Sequence, residues 1–166
     1  NVLDENGNLE LAVDLSPAQG KRSPYTVRTT LSLLESGGRP VVRNFERVIW
    51  PVPVLVGVRP LFTGDYAREG SVAQFEVIRA NADGKLHAGK GLPVRLFREN
   101  RDYYWRFDDQ RGWHSGFTET DELVDTASVS IPDGGRGKLG LPVKYGRYRL
   151  EITDSETGQT SKYRFY

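Results

Sequence analysis

The chain alternates between apolar and polar positions with a period of two, the spacing of a strand with one buried face. Tyr148, Leu150 and Ile152 fall on one side, with Arg147, Arg149, Glu151 and Thr153 on the other. Leu139, Leu141 and Val143 alternate with Lys138, Gly140 and Pro142, and Ala73, Phe75 and Val77 with Gln74, Glu76 and Ile78. Asp83-Gly84, Asp133-Gly134-Gly135, Gly146 and Thr157-Gly158 supply turn chemistry between these runs. No long stretch carries helical spacing. The pattern predicts an all-β, antiparallel sandwich of the immunoglobulin-like or fibronectin-like kind.

Comparison of the chain with itself sharpens this expectation. Gly7-x-Leu9-x-Leu11-x-Val13 has the spacing of Gly137-x-Leu139-x-Leu141-x-Val143. Tyr25-Thr26-Val27 then corresponds to Tyr148-Arg149-Leu150, a glycine turn follows in both (Gly37-Gly38 and Gly158), and each copy ends on an Asn/Arg-Phe step, Asn44-Phe45 and Arg164-Phe165. Strands over 55–62, 72–80, 92–107 and 112–118 precede only the second copy. Residues 1–50 therefore read as the last three strands of a truncated sandwich, and residues 55–166 as a complete one. Pro51-Val52-Pro53 is the junction, stiffened by two prolines that block ladder pairing. Phe75, Val77, Val94, Leu96, Leu139, Leu141, Tyr148 and Leu150 are expected inside the complete sandwich. Leu9, Leu11, Val13, Val27, Leu31 and Leu33 should line a face without a full partner sheet. Six such side chains are together worth on the order of 10 kcal/mol when buried, comparable to the ~5–15 kcal/mol of a whole domain. Cover by a second copy of the chain, a homodimer, is expected, or else by the neighbouring sandwich.

Composition narrows the chemistry. With 23 basic and 22 acidic residues and a formal net charge of +1, the chain has no net field to steer it to nucleic acid. The arginines at 95, 98, 101, 106 and 111 are interleaved with Glu99, Asp102, Asp108 and Asp109, as on a solvated face. The 166 residues include no cysteine, which removes disulfides, thiolate metal sites and a cysteine nucleophile. No apolar run approaches the ~20 residues of a membrane span. The chain starts at Asn1 and is read as an excised or processed piece. Only two histidines occur, His87 and His114, and His114-Ser115 places a would-be base and nucleophile on opposite faces of a strand. Asp108-Asp109 and Asp121-Glu122 could suggest glycosidase chemistry or calcium, but Asp108-Asp109-Gln110-Arg111-Gly112 has too few oxygens for a calcium loop and reads as an acidic turn. Neither catalytic residues, nor a metal, nor a cofactor is expected.

One constellation stands out: Tyr103-Tyr104-Trp105-Arg106-Phe107, then Gly112-Trp113. Alternation puts Tyr103, Trp105 and Phe107 on one face and Tyr104 and Arg106 on the other. Aromatics beside arginine suit a stacking platform for sugars or peptides, but core and inter-domain packing is the favoured reading. Tyr103, Tyr104, Trp105 and Trp113 are the candidate interface or binding residues. Tyr148 is expected to form a tyrosine corner, its ring buried and its hydroxyl tied to backbone.

Several of these segments resemble a known family. Asn44-Phe45-Glu46-Arg47-Val48-Ile49-Trp50-Pro51, Gly57-Val58-Arg59-Pro60, Arg101-Asp102-Tyr103-Tyr104-Trp105, Gly112-Trp113 and Tyr145-Gly146-Arg147-Tyr148-Arg149-Leu150-Glu151 are similar to macroglobulin domains of bacterial alpha-2-macroglobulins. The resemblance covers most of residues 40–166. It implies a large periplasmic parent, often anchored to the inner membrane by a lipid, that traps proteases after they cut an exposed bait region. Many members carry a Cys-x-Glu-Gln thioester, which this cysteine-free chain cannot supply. The implied role is that of structural domains, with other macroglobulin domains of the parent as partners and target proteases met only through the parent. The alternative is an Ig-like adhesion or glycan-binding module using Trp105 and Trp113.

Overall fold

The structure is a computed structural model that describes residues 3–16, 20–34 and 37–166. Asn1 and Val2, which open the expected 1–50 half, lie outside the described residues. Nine strands follow one another: β1 (Tyr25–Leu34), β2 (Pro40–Ile49), β3 (Leu55–Pro60), β4 (Val72–Ala80), β5 (Gly89–Asp108), β6 (Gly112–Ile131), β7 (Gly137–Pro142), β8 (Tyr148–Thr153) and β9 (Thr160–Phe165). All pair antiparallel, in sheets of order β1-β2, β3-β4-β7 and β6-β5-β8-β9. No α-helix occurs among the described residues.

The second and third sheets face each other over one apolar core. All eight side chains expected inside are buried, with Phe75, Val77, Leu96 and Leu150 fully excluded from solvent. Phe165 of β9 sits at the centre, 5.3 Å from the Phe75 ring and stacked at 5.5 Å on Tyr148. Tyr148 makes the anticipated corner, its hydroxyl accepting the Lys144 N–H at 3.1 Å.

Polar side chains tie the two layers together. In the alternation of β4, Arg79 has the same parity as Phe75 and Val77, and it is only 6% exposed. Its Nε donates to Asp154 Oδ2 at 2.7 Å and its Nη1 to the Ala88 carbonyl at 2.9 Å. Asp154, fully buried, also accepts the N–H groups of Glu156 and Thr157 and so organises the β8–β9 turn. Burial opposes ionisation of Asp154, but the Arg79 guanidinium and the two N–H donors outweigh it and hold the carboxyl below its ordinary value. At the other seam, Gln159 Oε1 accepts the Val56 N–H at 3.2 Å while the Ser161 hydroxyl donates to the Val56 carbonyl.

The first 50 residues depart from expectation in one respect. β1 and β2 form the anticipated hairpin, Tyr25 opposite Ile49 through Leu34 opposite Pro40. Leu9–Val13, expected as a third strand, makes no ladder. The reason lies in the complete copy. There the counterpart, β7, takes its hydrogen bonds from β4 in the opposite layer, not from β8 or β9. No counterpart of β4 precedes Leu9 among these residues, so the segment has no edge to join. It still flanks the hairpin's apolar face: Leu3, Leu9 and Leu11 share an open groove of about 730 Å³ with Leu31, Leu33, Val41 and Phe45. Of the six side chains named above, Val27 is half-buried and the other five are exposed.

β5 and β6 are twenty residues each, whereas β8 pairs only with Val94–Arg98 of β5. Beyond Glu99 the two long strands continue as a two-stranded ribbon. β6 thus runs to Ile131, well past the expected end at 118, and Asp121-Glu122 lies within it. A bulge marks the transition: Leu96 pairs with Asp125 and Phe97 with Leu123, leaving Val124 as the extra residue. The bulge reverses parity. Odd-numbered Val129 and Ile131 point into the sandwich, while odd-numbered Leu123, Asp121, Glu119, Phe117 and Trp113 share the outer face with Phe97, Glu99, Arg101, Tyr103 and Phe107.

Two outcomes follow from the polar anchors. Asp154→Ala, which leaves Arg79 buried without its main partner, should cost about 3–5 kcal/mol in urea unfolding. Asp154 is more acidic folded than unfolded, so its contribution is complete above the ordinary value of 3.8 and is lost as pH falls below it. The acid limb of the stability profile should therefore be flatter in the variant than in the wild type. Tyr148→Phe keeps the ring and removes the corner hydrogen bond, and should cost ~1 kcal/mol in the same measurement.

Candidate functional site

The ribbon, residues 99–119, carries all four candidate residues. Its turn is built by Asp108, whose Oδ1 accepts the N–H of Gln110 at 3.1 Å and of Arg111 at 2.7 Å, with Gly112 at φ 68° closing it. Asp108-Asp109 is thus the expected acidic turn, and no cluster of metal-ligating side chains occurs among the described residues. His114 lies beside this turn, its Nδ1 3.2 Å from the Gly112 carbonyl and 3.5 Å from Asp108 Oδ2. It pairs across the strands with Arg106, whereas Ser115 pairs with Trp105 and faces the other way. Histidine and serine do not meet. His87, in the loop after β4, has its main-chain N–H on the Arg79 carbonyl.

Alternation assigned the faces of the aromatic run correctly and its burial incorrectly. Core and inter-domain packing was the favoured reading; within this chain the core part fails, since Tyr103, Trp105 and Trp113 are each 71% exposed, and Tyr104, Phe107 and Phe117 are exposed as well. Tyr103, Trp105 and Phe107 continue the outer face of β5, the side turned away from the β3-β4-β7 layer, so no described strand covers them. Tyr103 faces Phe117 across the strands with ring centroids 5.9 Å apart, and Phe107 faces Trp113 at 5.6 Å. The pairs are inclined by 52° and 61°, so they form a ridged apolar surface, not a flat one. At its foot the Arg101 guanidinium lies over the Phe117 ring at 4.8 Å and binds Glu119 at 2.6 Å. The reverse face is polar, with Asp102, Arg106 and His114. There the Tyr104 ring covers Gly116, where a Cβ would lie 2.8 Å from the ring.

The aromatic face continues downward into the outer surface of the four-stranded sheet, which the sequence reading treated only as a polar side. Glu99 receives Arg147, Arg149 and Arg164 at 3.0, 2.7 and 2.9 Å. Arg149 also reaches Asp121 at 2.6 Å and Glu151 at 3.0 Å, and its guanidinium lies 4.9 Å from the Phe97 ring. Burial pushes Glu99 toward the neutral acid, but Arg164 and Arg149 prevail and keep its pKa below the ordinary value. The hydrogen bond from Arg149 likewise keeps Asp121 ionised to lower pH. Each charge has the parity of a solvated face in its own strand. Only the register of four strands reveals that they converge.

Comparison with known proteins fits this architecture. Residues 57–166 match the family model of bacterial macroglobulin domain 6, and residues 1–51 match that of the bacterial alpha-2-macroglobulin MG5 domain. The alpha-2-macroglobulin of Xylella fastidiosa is 43% identical over 99% of the chain, and that of Escherichia coli 39% identical over 91%. The native conformation of Escherichia coli alpha-2-macroglobulin, solved by cryo-electron microscopy, superposes over 99% of the chain with a TM-score of 0.83 at 36% identity, using 11% of that structure. The chain spans 10% of the length of the two relatives. By the domain 6 match over residues 57–166 and this identity along nearly its whole length, the chain belongs to the bacterial alpha-2-macroglobulin family.

Proposed function

We propose that the chain is a structural part of a protease-trapping inhibitor, its residues 55–166 forming one complete macroglobulin sandwich and its residues 1–50 the closing strands of the preceding one. The observation that carries this reading is the succession of two family matches, fifth domain then sixth, on a hairpin with an open apolar face followed by a closed sandwich. The role is mechanical: Pro51-Val52-Pro53 joins two units, and trapping belongs to the parent. In the parent, the open face is covered by the remaining strands of its own domain. In the isolated chain, a second copy takes their place.

A sugar-binding module draws some support from the exposure of Trp105 and Trp113. The inclined ring pairs offer little flat surface for a pyranose, however, and the match to a bacterial macroglobulin domain favours the first reading.

Two measurements check the proposal. At equimolar concentration the parent should shield a protease from a large protein substrate, while this chain alone leaves cleavage unchanged. Stoichiometric inhibition by the chain alone would contradict a purely structural role. Light scattering on the isolated chain should give a dimer, and replacing Leu31 and Leu33 by serine should shift it toward monomer. A monomer with the wild-type sequence would count against the half-domain reading of residues 1–50.

A further inference from the structure

The aromatic face of the ribbon needs a cover, and the topology indicates where one comes from. A two-stranded ribbon standing alone is marginal in water, and a contiguous exposed apolar surface of this kind marks an interaction site. β9 and β5 both pair antiparallel with β8, so they run in the same direction. Phe165, the last residue of β9, is opposite Tyr148, which is itself opposite Arg98, the last β5 residue before the ribbon. β9 therefore ends level with the ribbon's foot and points toward its tip. Tyr166 is fixed there, its N–H on the Asp65 carbonyl at 2.7 Å and its carbonyl accepting the Ala67 N–H at 2.6 Å. Its ring stacks on Tyr66 at 5.5 Å. Tyr166, Tyr66, Tyr145 and Arg147 line one groove of about 580 Å³ with Arg101 and Tyr103, the first rows of the aromatic face. The groove thus joins the end of β9 to that face.

We propose that the stretch of parent polypeptide following Tyr166 passes through this groove and lies along the ribbon, covering Tyr103, Trp105, Phe107, Trp113 and Phe117. The inference rests on the reading of the chain as part of a longer polypeptide, the chain spanning 10% of the length of the relatives. Reach is no obstacle. The ribbon from Glu99 to Asp108 is roughly 34 Å long, which about ten extended residues can follow. Tethering also makes such a segment a better competitor for the face than any free partner of equal affinity. The reverse face, with Asp102, Arg106 and His114, is polar and stays in water.

The test uses the full-length parent with p-benzoylphenylalanine in place of Trp105 or, in a second variant, Phe107, and in place of Tyr104 on the reverse face as the control. After irradiation and digestion, both aromatic-face variants should cross-link to peptides within ~15 residues after Tyr166 of the same molecule, and the Tyr104 variant should not. Cross-links to a distant domain or to a second molecule, equal labelling from Tyr104, or no cross-link from either aromatic-face position would overturn the proposal. The readout is independent of protease shielding. A parent that cross-links as expected but traps nothing would refute the functional reading alone.

Discussion

The constraint on which the rest of the structure depends is a mismatch of strand lengths. Two strands of twenty residues are inserted into a sandwich whose other members are six to nine residues long. Within the reach of β8, β5 is sandwiched between neighbours and its alternate side chains are buried. One residue beyond, the same alternation continues with nothing opposite it. The ladder hydrogen bonds between β5 and β6 do not stop where the core stops, so the surplus length emerges as a ribbon. The exposure of the ribbon's inner face, Tyr104 included, follows from that mismatch, while Tyr103, Trp105 and Trp113 continue the outer face of the sheet.

The two layers of the sandwich are joined by a core and by a few well-placed polar side chains. Phe75, Tyr148 and Phe165 form an aromatic centre contributed by both sheets, so neither sheet has a complete core alone. Arg79 extends this dependence to the turns. A buried guanidinium is tolerated because Asp154, Glu156 and a backbone carbonyl receive it. Asp154 in turn is usable as a turn-forming carboxylate because the cation is there. Gln159 and Ser161 satisfy the Val56 backbone where sheet pairing cannot reach, which is how a sandwich closes a side without a continuous ladder.

Much of this was legible in the sequence, and the failures have a common cause. Period-two spacing was enough for the eight core residues, since each lies on a strand whose one face meets the opposite layer. It was also enough for the faces of Tyr103 through Phe107. The outward direction of Tyr103, Trp105 and Phe107 was legible too, because Val94 and Leu96, expected inside, lie on the same strand at the opposite parity. The parity reversal at Val124 hid the convergence of Asp121 on Arg149, since a bulge has no residue signature in Leu123-Val124-Asp125. The missing ladder at Leu9–Val13 arose similarly: the hydrophobic pattern of a strand was present, but its hydrogen-bonding partner belongs to a different layer. Arg79 left a trace that could have been followed. An arginine at the parity of Ala73, Phe75 and Val77 calls for a buried carboxylate elsewhere.

Because the ribbon beyond the Glu99 cluster joins the sandwich through the sequential β5–β6 ladder, its length is free to change without altering the sandwich. A matched insertion of two residues in each strand would preserve both faces and carry the tip outward by about 7 Å. A one-residue insertion in a single strand would set the aromatic rows of that strand against the polar ones. The projection is thus adjustable in discrete even steps, with the core paying nothing for the adjustment. A family of such domains can vary how far this arm extends while leaving the fold that carries it untouched.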